Sequence, residues 1–132
     1  MAKLTGADMR SGLARARGFG SAKDGVAHWW AQRLTALALI PLALWFVGSI
    51  IGLVGASHSA ALAWIGSPAT AVLLIVLIAA TFHHAQLGVQ VVIEDYVHQE
   101  GLKFAAIMIV KGAAILLAVT AALAVLKIAV KG

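Results

Sequence analysis

The sequence predicts an all-α integral membrane protein, a bundle of three transmembrane helices. Composition is the first ground. Apolar residues make up 62% of the 132-residue chain and charged residues only 11%, whereas a soluble domain carries about 25% charged residues. So few charges cannot cover a water-facing surface, and lipid is the solvent for most of this chain. The second ground is the stretch Leu34 to Ile93, which contains no Lys, Arg, Asp or Glu. It is too long for one crossing of a ~30 Å hydrocarbon core, which takes about 20 helical residues, so it must turn once. The third ground is a further apolar run from Phe104 to about Lys127.

Taken in order, residues 1–27 are rich in Gly, Ala and Arg and show no apolar periodicity. They read as an irregular, basic cytoplasmic tail. They do not read as a signal peptide, whose apolar segment is only about 7–15 residues. Residues 28–132 are the anchor domain. Its first helix is expected over about 29–54. Gly, Ser, His and Pro cluster between Gly55 and Pro68 and mark the turn, with Trp64 suited to a membrane interface. The second helix is expected over 69–93. The polar segment Glu94–Lys103, with Gly101, is expected to be a loop, and the third helix spans 104–127. Pro41 is expected to kink the first helix, which membrane helices tolerate. Gly48, Gly52, Gly55 and Gly88 permit close helix contact. Lys111 reads as a lysine snorkelling to the headgroups.

The net charge is +5, and it is concentrated at the start. Lys3, Arg10, Arg15, Arg17, Lys23 and Arg33 precede the first apolar run, opposed by Asp8 and Asp24. Followed by lipid-soluble helices, such a tail marks the cytoplasmic side of a membrane protein, with no nucleic acid as partner. The N-terminus is therefore expected inside, the Glu94–Lys103 loop inside, and Gly132 on the periplasmic side of a bacterial inner membrane. There is no cysteine, which excludes disulfides, iron–sulfur ligation and thiolate zinc sites within this chain.

Three segments carry chemistry. The first is HHAQLGVQVVIEDYVH, His83 to His98. Polar groups in a membrane helix are costly and face a bundle interior or a site. His84, Gly88, Val91 and Asp95 share one helical face. If Asp95 marks the interface, His84 lies about 16 Å deeper at 1.5 Å per residue. A neutral imidazole at that depth suits a haem iron, and Gly88 would leave room for a flat macrocycle. The competing reading is a histidine hydrogen-bonded to a neighbouring helix. His83 points about 100° away and is read as structural. His58 is read as a solvated loop histidine.

The second segment is HWWAQR, His28 to Arg33. It is either a basic flank with an aromatic belt of Trp29 and Trp30, or a carboxylate clamp in which Arg33 and His28 hold haem propionates. The third is Asp95–Tyr96. Either Tyr96 is an interface anchor beside a solvated aspartate, or its hydroxyl donates to a quinone carbonyl while Asp95 orients it or relays protons.

The run HAQLGVQVVIEDYVH, His84 to His98, resembles the second helix and following loop of the small membrane anchor subunit of succinate dehydrogenase, respiratory complex II. In that family a haem-ligating histidine precedes a D-Y-V element by eleven residues, with a glycine at the fourth position. His84, Gly88, Asp95, Tyr96 and Val97 match this arrangement, and HWWAQR is similar to the family's H-W-x-x-x-R element. The chain resembles an alphaproteobacterial or mitochondrial-type version. His83 offers a second candidate ligand, and the spacing picks His84.

The resemblance implies a haem b ligated by His84, with the other axial histidine on a second three-helix anchor, the cytochrome b subunit. It places His28 and Arg33 near the propionates. It implies ubiquinone near Tyr96, supported by Asp95, and it implies docked iron–sulfur and flavoprotein subunits on the cytoplasmic membrane face. This chain by itself has no flavin or nucleotide pattern and no cluster cysteines, so succinate oxidation is not its own chemistry. The alternatives are a fumarate reductase anchor and a haem-free structural anchor. A small transporter would show a polar face on more than one helix, which the first and third helices lack.

Overall fold

The computed structural model describes residues 23–131, and those residues form four helices with no strand among them. Helix α1 spans Lys23–Gly52, α2 His58–Gly66, α3 Pro68–Tyr96 and α4 Glu100–Lys131. Three of them, of 30, 29 and 32 residues, exceed the ~20 residues that a hydrocarbon core demands. Three crossings are therefore available by length and apolarity. Nearly all of the tail expected over residues 1–27 lies outside the described residues. The first described residue, Lys23, opens α1.

Two connections differ from expectation. The segment expected to be a plain turn contains α2. Gly55 takes φ +80°, a left-handed conformation that lets the chain reverse after α1. Ser57 then caps α2, its hydroxyl accepting from the Ala60 amide at 3.2 Å. At the far end of α2, Ser67 closes one helix and opens the next. Its amide donates to Ala63 and Trp64 carbonyls, and its ψ of 135° is the extended setting that a following proline demands. Pro68 opens α3, where a missing amide hydrogen costs nothing. Trp64 stacks on Trp45 of α1, with centroids 5.9 Å apart.

The loop expected over Glu94–Lys103 shrinks to residues 97–99. Leaving the apolar zone does not oblige a helix to stop, because Glu, Gln and Lys are good helix formers. Gln90 donates to Glu94 at 2.7 Å on the last turns of α3. Lys103 pairs with Glu100 at 2.9 Å in the first turn of α4. Glu100 at the start and Lys131 at the end also suit the helix dipole.

The chain divides into two units, residues 1–30 and 31–132. In the first, Trp29 and Trp30 meet edge to face at 5.1 Å. In the second, α3 is the spine. The buried residues of the described chain, Thr70, Ala71, Leu74, Gln86 and Leu87, all lie on it, and α2 and α4 pack against it. Leu37, Leu44, Ile109 and Val130 stay exposed, as lipid or another subunit would require. Because Ala71 is only 5% exposed, Ala71→Leu is expected to overpack this seam at a cost of about 1–3 kcal/mol. The same change at exposed Ala113 should be neutral. The thermal midpoints of the two variants in detergent check this.

Candidate functional site

Polar side chains in the membrane-spanning helices gather where α1 meets α3. His84 stands in the middle of α3, half-buried. Its Nδ1 lies 3.0 Å from the Thr35 hydroxyl of α1. Thr35 is itself held by its own helix, its oxygen 2.7 Å from the Ala31 carbonyl and 3.1 Å from that of Gln32. Such back-bonding is how a threonine is accommodated inside a helix. The other ring nitrogen of His84 has no hydrogen-bond partner among the described residues. One turn on, the open side of Gly88 faces the Gln32 amide: a Cβ built there would meet Gln32 Nε2 at 3.7 Å. Gln32 Oε1 is enclosed and unpaired among the described residues. The side of Gly88 expected to admit a macrocycle thus has the Gln32 side chain as its neighbour.

A second polar track runs along α3. Gln86 donates to Gln90 at 3.0 Å, and Gln90 to Glu94. Each link spans one turn, so the row leads inward from the end of the helix. It reaches a groove of about 400 Å³ between α3 and α4, lined by His83, Gln86 and Lys111 among apolar residues. His83 is exposed on that groove and His84 is not among its walls. The two adjacent histidines therefore serve different surfaces, as a 100° step per residue requires. Lys111 keeps partial exposure.

The remaining sequence-predicted residues are spread out. His28 belongs to the first unit, with Nε2 enclosed and unpaired among the described residues. Arg33 belongs to the second and is exposed. Asp95 and Tyr96 occupy the last turn of α3, both exposed, Tyr96 at 78%. No hydrogen bond joins the two, because successive helical side chains diverge. His58 is the exposed first residue of α2. No group of three or more His, Cys, Asp or Glu converges among the described residues. A bare metal ion therefore has no ligand set there. Haem brings four ring nitrogens of its own and asks this chain for one imidazole, which His84 fits.

Residues 7–126 match the family described as succinate dehydrogenase/fumarate reductase transmembrane subunit. The chain belongs to this family.

Relatives of the succinate dehydrogenase/fumarate reductase transmembrane subunit family carry a more specific description. The chain is 33% identical over 104 residues to the succinate dehydrogenase hydrophobic membrane anchor subunit of Rickettsia bellii, covering 79% of this chain and 83% of that one. It is 33% identical over 111 residues to the protein of the same description from Paracoccus denitrificans, covering 83% and 85%. It is 26% identical over 96 residues to the succinate dehydrogenase membrane anchor subunit of Reclinomonas americana, covering 70% and 80%. No solved structure matches it. Together with three spanning helices, these similarities make it a multi-pass inner-membrane protein and a membrane anchor subunit of succinate dehydrogenase type.

Two residues of this anchor escaped the sequence reading. Thr35 looks like an ordinary small polar residue in an apolar helix, and Gln32 is hidden inside the HWWAQR element. A hydroxyl at membrane depth is the one available signal for Thr35. Its partner is legible only in three dimensions. At Gly88, the 3.7 Å clearance is ordinary contact, so Gly88→Ala should fit and stabilise the helix by about 0.5–1 kcal/mol. Gly88→Leu should displace Gln32 and destabilise by about 1–3 kcal/mol. Thermal unfolding of the solubilised complex reads both. Loss of haem in Gly88→Ala would instead assign that space to a macrocycle.

Proposed function

We propose that the chain is the anchor of a succinate:ubiquinone oxidoreductase that gives His84 to a haem b shared with a second three-helix anchor subunit, the cytochrome b subunit. The carrying observation is the state of His84: a mid-helix imidazole tied at one nitrogen to Thr35 and without a described partner at the other. Bound there, haem b supplies one-electron transfer, and this chain supplies position and electrostatics. His28 and Arg33 would hold its propionates. The enclosed, unpaired His28 Nε2 supports that role, since a buried polar atom calls for a partner. The basic start of the chain supports an N-terminus in the cytoplasm and a C-terminus in the periplasm. The end of α3 then faces the cytoplasm, where iron–sulfur and flavoprotein subunits dock.

Tyr96 at that end forms one wall of the ubiquinone site. Ubiquinone takes up two electrons and two protons, so its carbonyl oxygen gains charge during reduction. A hydroxyl donor aimed at that oxygen stabilises the charged stage more than the starting ketone. The exposure of Tyr96 supports the role, because its hydroxyl is open to a ligand shared with another subunit. Asp95 beside it, exposed on the last turn of α3, relays protons from the cytosol in this reading. Relatives described as succinate dehydrogenase subunits favour succinate oxidation over fumarate reduction as the working direction.

His84→Ala is expected to abolish the six-coordinate low-spin haem spectrum of the assembled complex, and His83→Ala to leave it intact. The opposite pattern would transfer the ligand to His83. Tyr96→Phe keeps the ring and removes the donor. Succinate–quinone reduction should then fall by roughly tenfold or more, while succinate oxidation with an artificial acceptor upstream and haem content stay unchanged. An unchanged ratio of the two activities would reduce Tyr96 to a membrane anchor.

A further inference from the structure

We propose that Thr35 is the positioning residue for His84: its hydroxyl fixes the tautomer and the rotation of the imidazole so that Nε2 is the bare, ligating nitrogen. The inference rests on the reading of His84 as a haem ligand.

A count of protons decides the tautomer. A threonine hydroxyl has one hydrogen to give and two lone pairs to receive with. Around Thr35 Oγ1 stand three groups: the Ala31 carbonyl at 2.7 Å, the Gln32 carbonyl at 3.1 Å and His84 Nδ1 at 3.0 Å. Carbonyl oxygens only accept. The single proton goes to the nearest of them, Ala31 O, and the hydroxyl then meets Nδ1 with a lone pair. Nδ1 must therefore carry the hydrogen and donate. A neutral imidazole has one N–H, so Nε2 is left with its lone pair exposed. The reverse assignment would surrender the 2.7 Å contact. It would also leave an Nε2–H donor without a described acceptor, a costly state in hydrocarbon.

The arrangement has three consequences for a bound iron. The imidazole presents the nitrogen that metals take without first changing tautomer. The ring plane is pinned to α1 as well as α3, so it does not swing. A hydrogen bond from Nδ1–H to an oxygen raises the basicity of the ligand. A more basic ligand favours the oxidised iron and lowers its midpoint potential.

The test uses the assembled complex in membranes. Thr35→Val is nearly the same shape and lacks the hydroxyl. Thr35→Ser keeps the hydroxyl and loses only a methyl group. Thr35→Val is expected to bind haem about tenfold less tightly, to shift the low-spin resonance, and to raise the midpoint potential of the haem that remains. Thr35→Ser is expected to match the wild type in all three. A structural role alone would alter assembly without moving the potential of the retained haem. If Val prevents assembly, Thr35→Ala against Thr35→Ser gives the same comparison at smaller volume. The proposal is overturned if Val or Ala leaves resonance and potential unchanged while His84→Ala removes the low-spin signal, or if Ser behaves like Val. If His84→Ala keeps that signal, the ligand reading falls and takes the role of Thr35 with it.

Discussion

Hydrocarbon offers no hydrogen bonds, and every polar group placed in it must find a partner within the protein. This constraint shapes the chain from end to end. The backbone is satisfied by running as long helices with short, tightly capped joins. Ser57 caps one end of α2, and Ser67 with Pro68 makes the corner at the other. Hydroxyls inside helices are returned to their own backbone: Ser49 to the Trp45 carbonyl at 2.8 Å, Thr120 to that of Leu116 at 2.7 Å, Thr35 to that of Ala31 at 2.7 Å. The glutamines of α3 are chained to one another and out to Glu94. Against that background the His84 nitrogen with no partner among the described residues is an exception, and it is the ground on which a ligand is proposed there.

A second constraint follows from size. Three long helices cannot enclose a cofactor among themselves, and burial among the described residues is confined to one seam on α3. The remaining apolar surface must meet lipid or other subunits. A shared site is the natural outcome. His84 stands at the α1–α3 contact and Tyr96 at the end of α3, and in the proposed reading each would contribute a wall that a neighbouring subunit completes. A function distributed in this way would ask little polar chemistry of the chain itself, in keeping with the lack of a cluster of metal ligands among its described residues.

The spans were legible because lipid selects composition so strongly. The absence of charge from Leu34 to Ile93 leaves no other solvent, and the eleven-residue separation of His84 from Asp95 is plain in one dimension. Helix ends were less legible. Hydropathy reports where lipid stops, whereas helices persist through Glu94 and begin again at Glu100 because their residues favour helix and pair locally. Helix α2 was hidden because its nine residues sit among turn-forming Ser, His and Gly. The partnership of Thr35 with His84 joins residues far apart in the chain, and no local pattern announces it. The side chain that faces Gly88, Gln32, likewise belongs to another helix. Contacts between helices are what one-dimensional periodicity cannot express.

The proposed role of His84 is that, oriented by Thr35, it delivers Nε2 to a haem iron. A density map of the complete membrane complex tests it most directly. The account predicts haem density continuous with the His84 ring through Nε2, with Nδ1 still within hydrogen-bond distance of Thr35 Oγ1 and a histidine of the second anchor on the opposite face. Iron bonded to His83, or a His84 ring turned so that Nδ1 meets the iron, would contradict it.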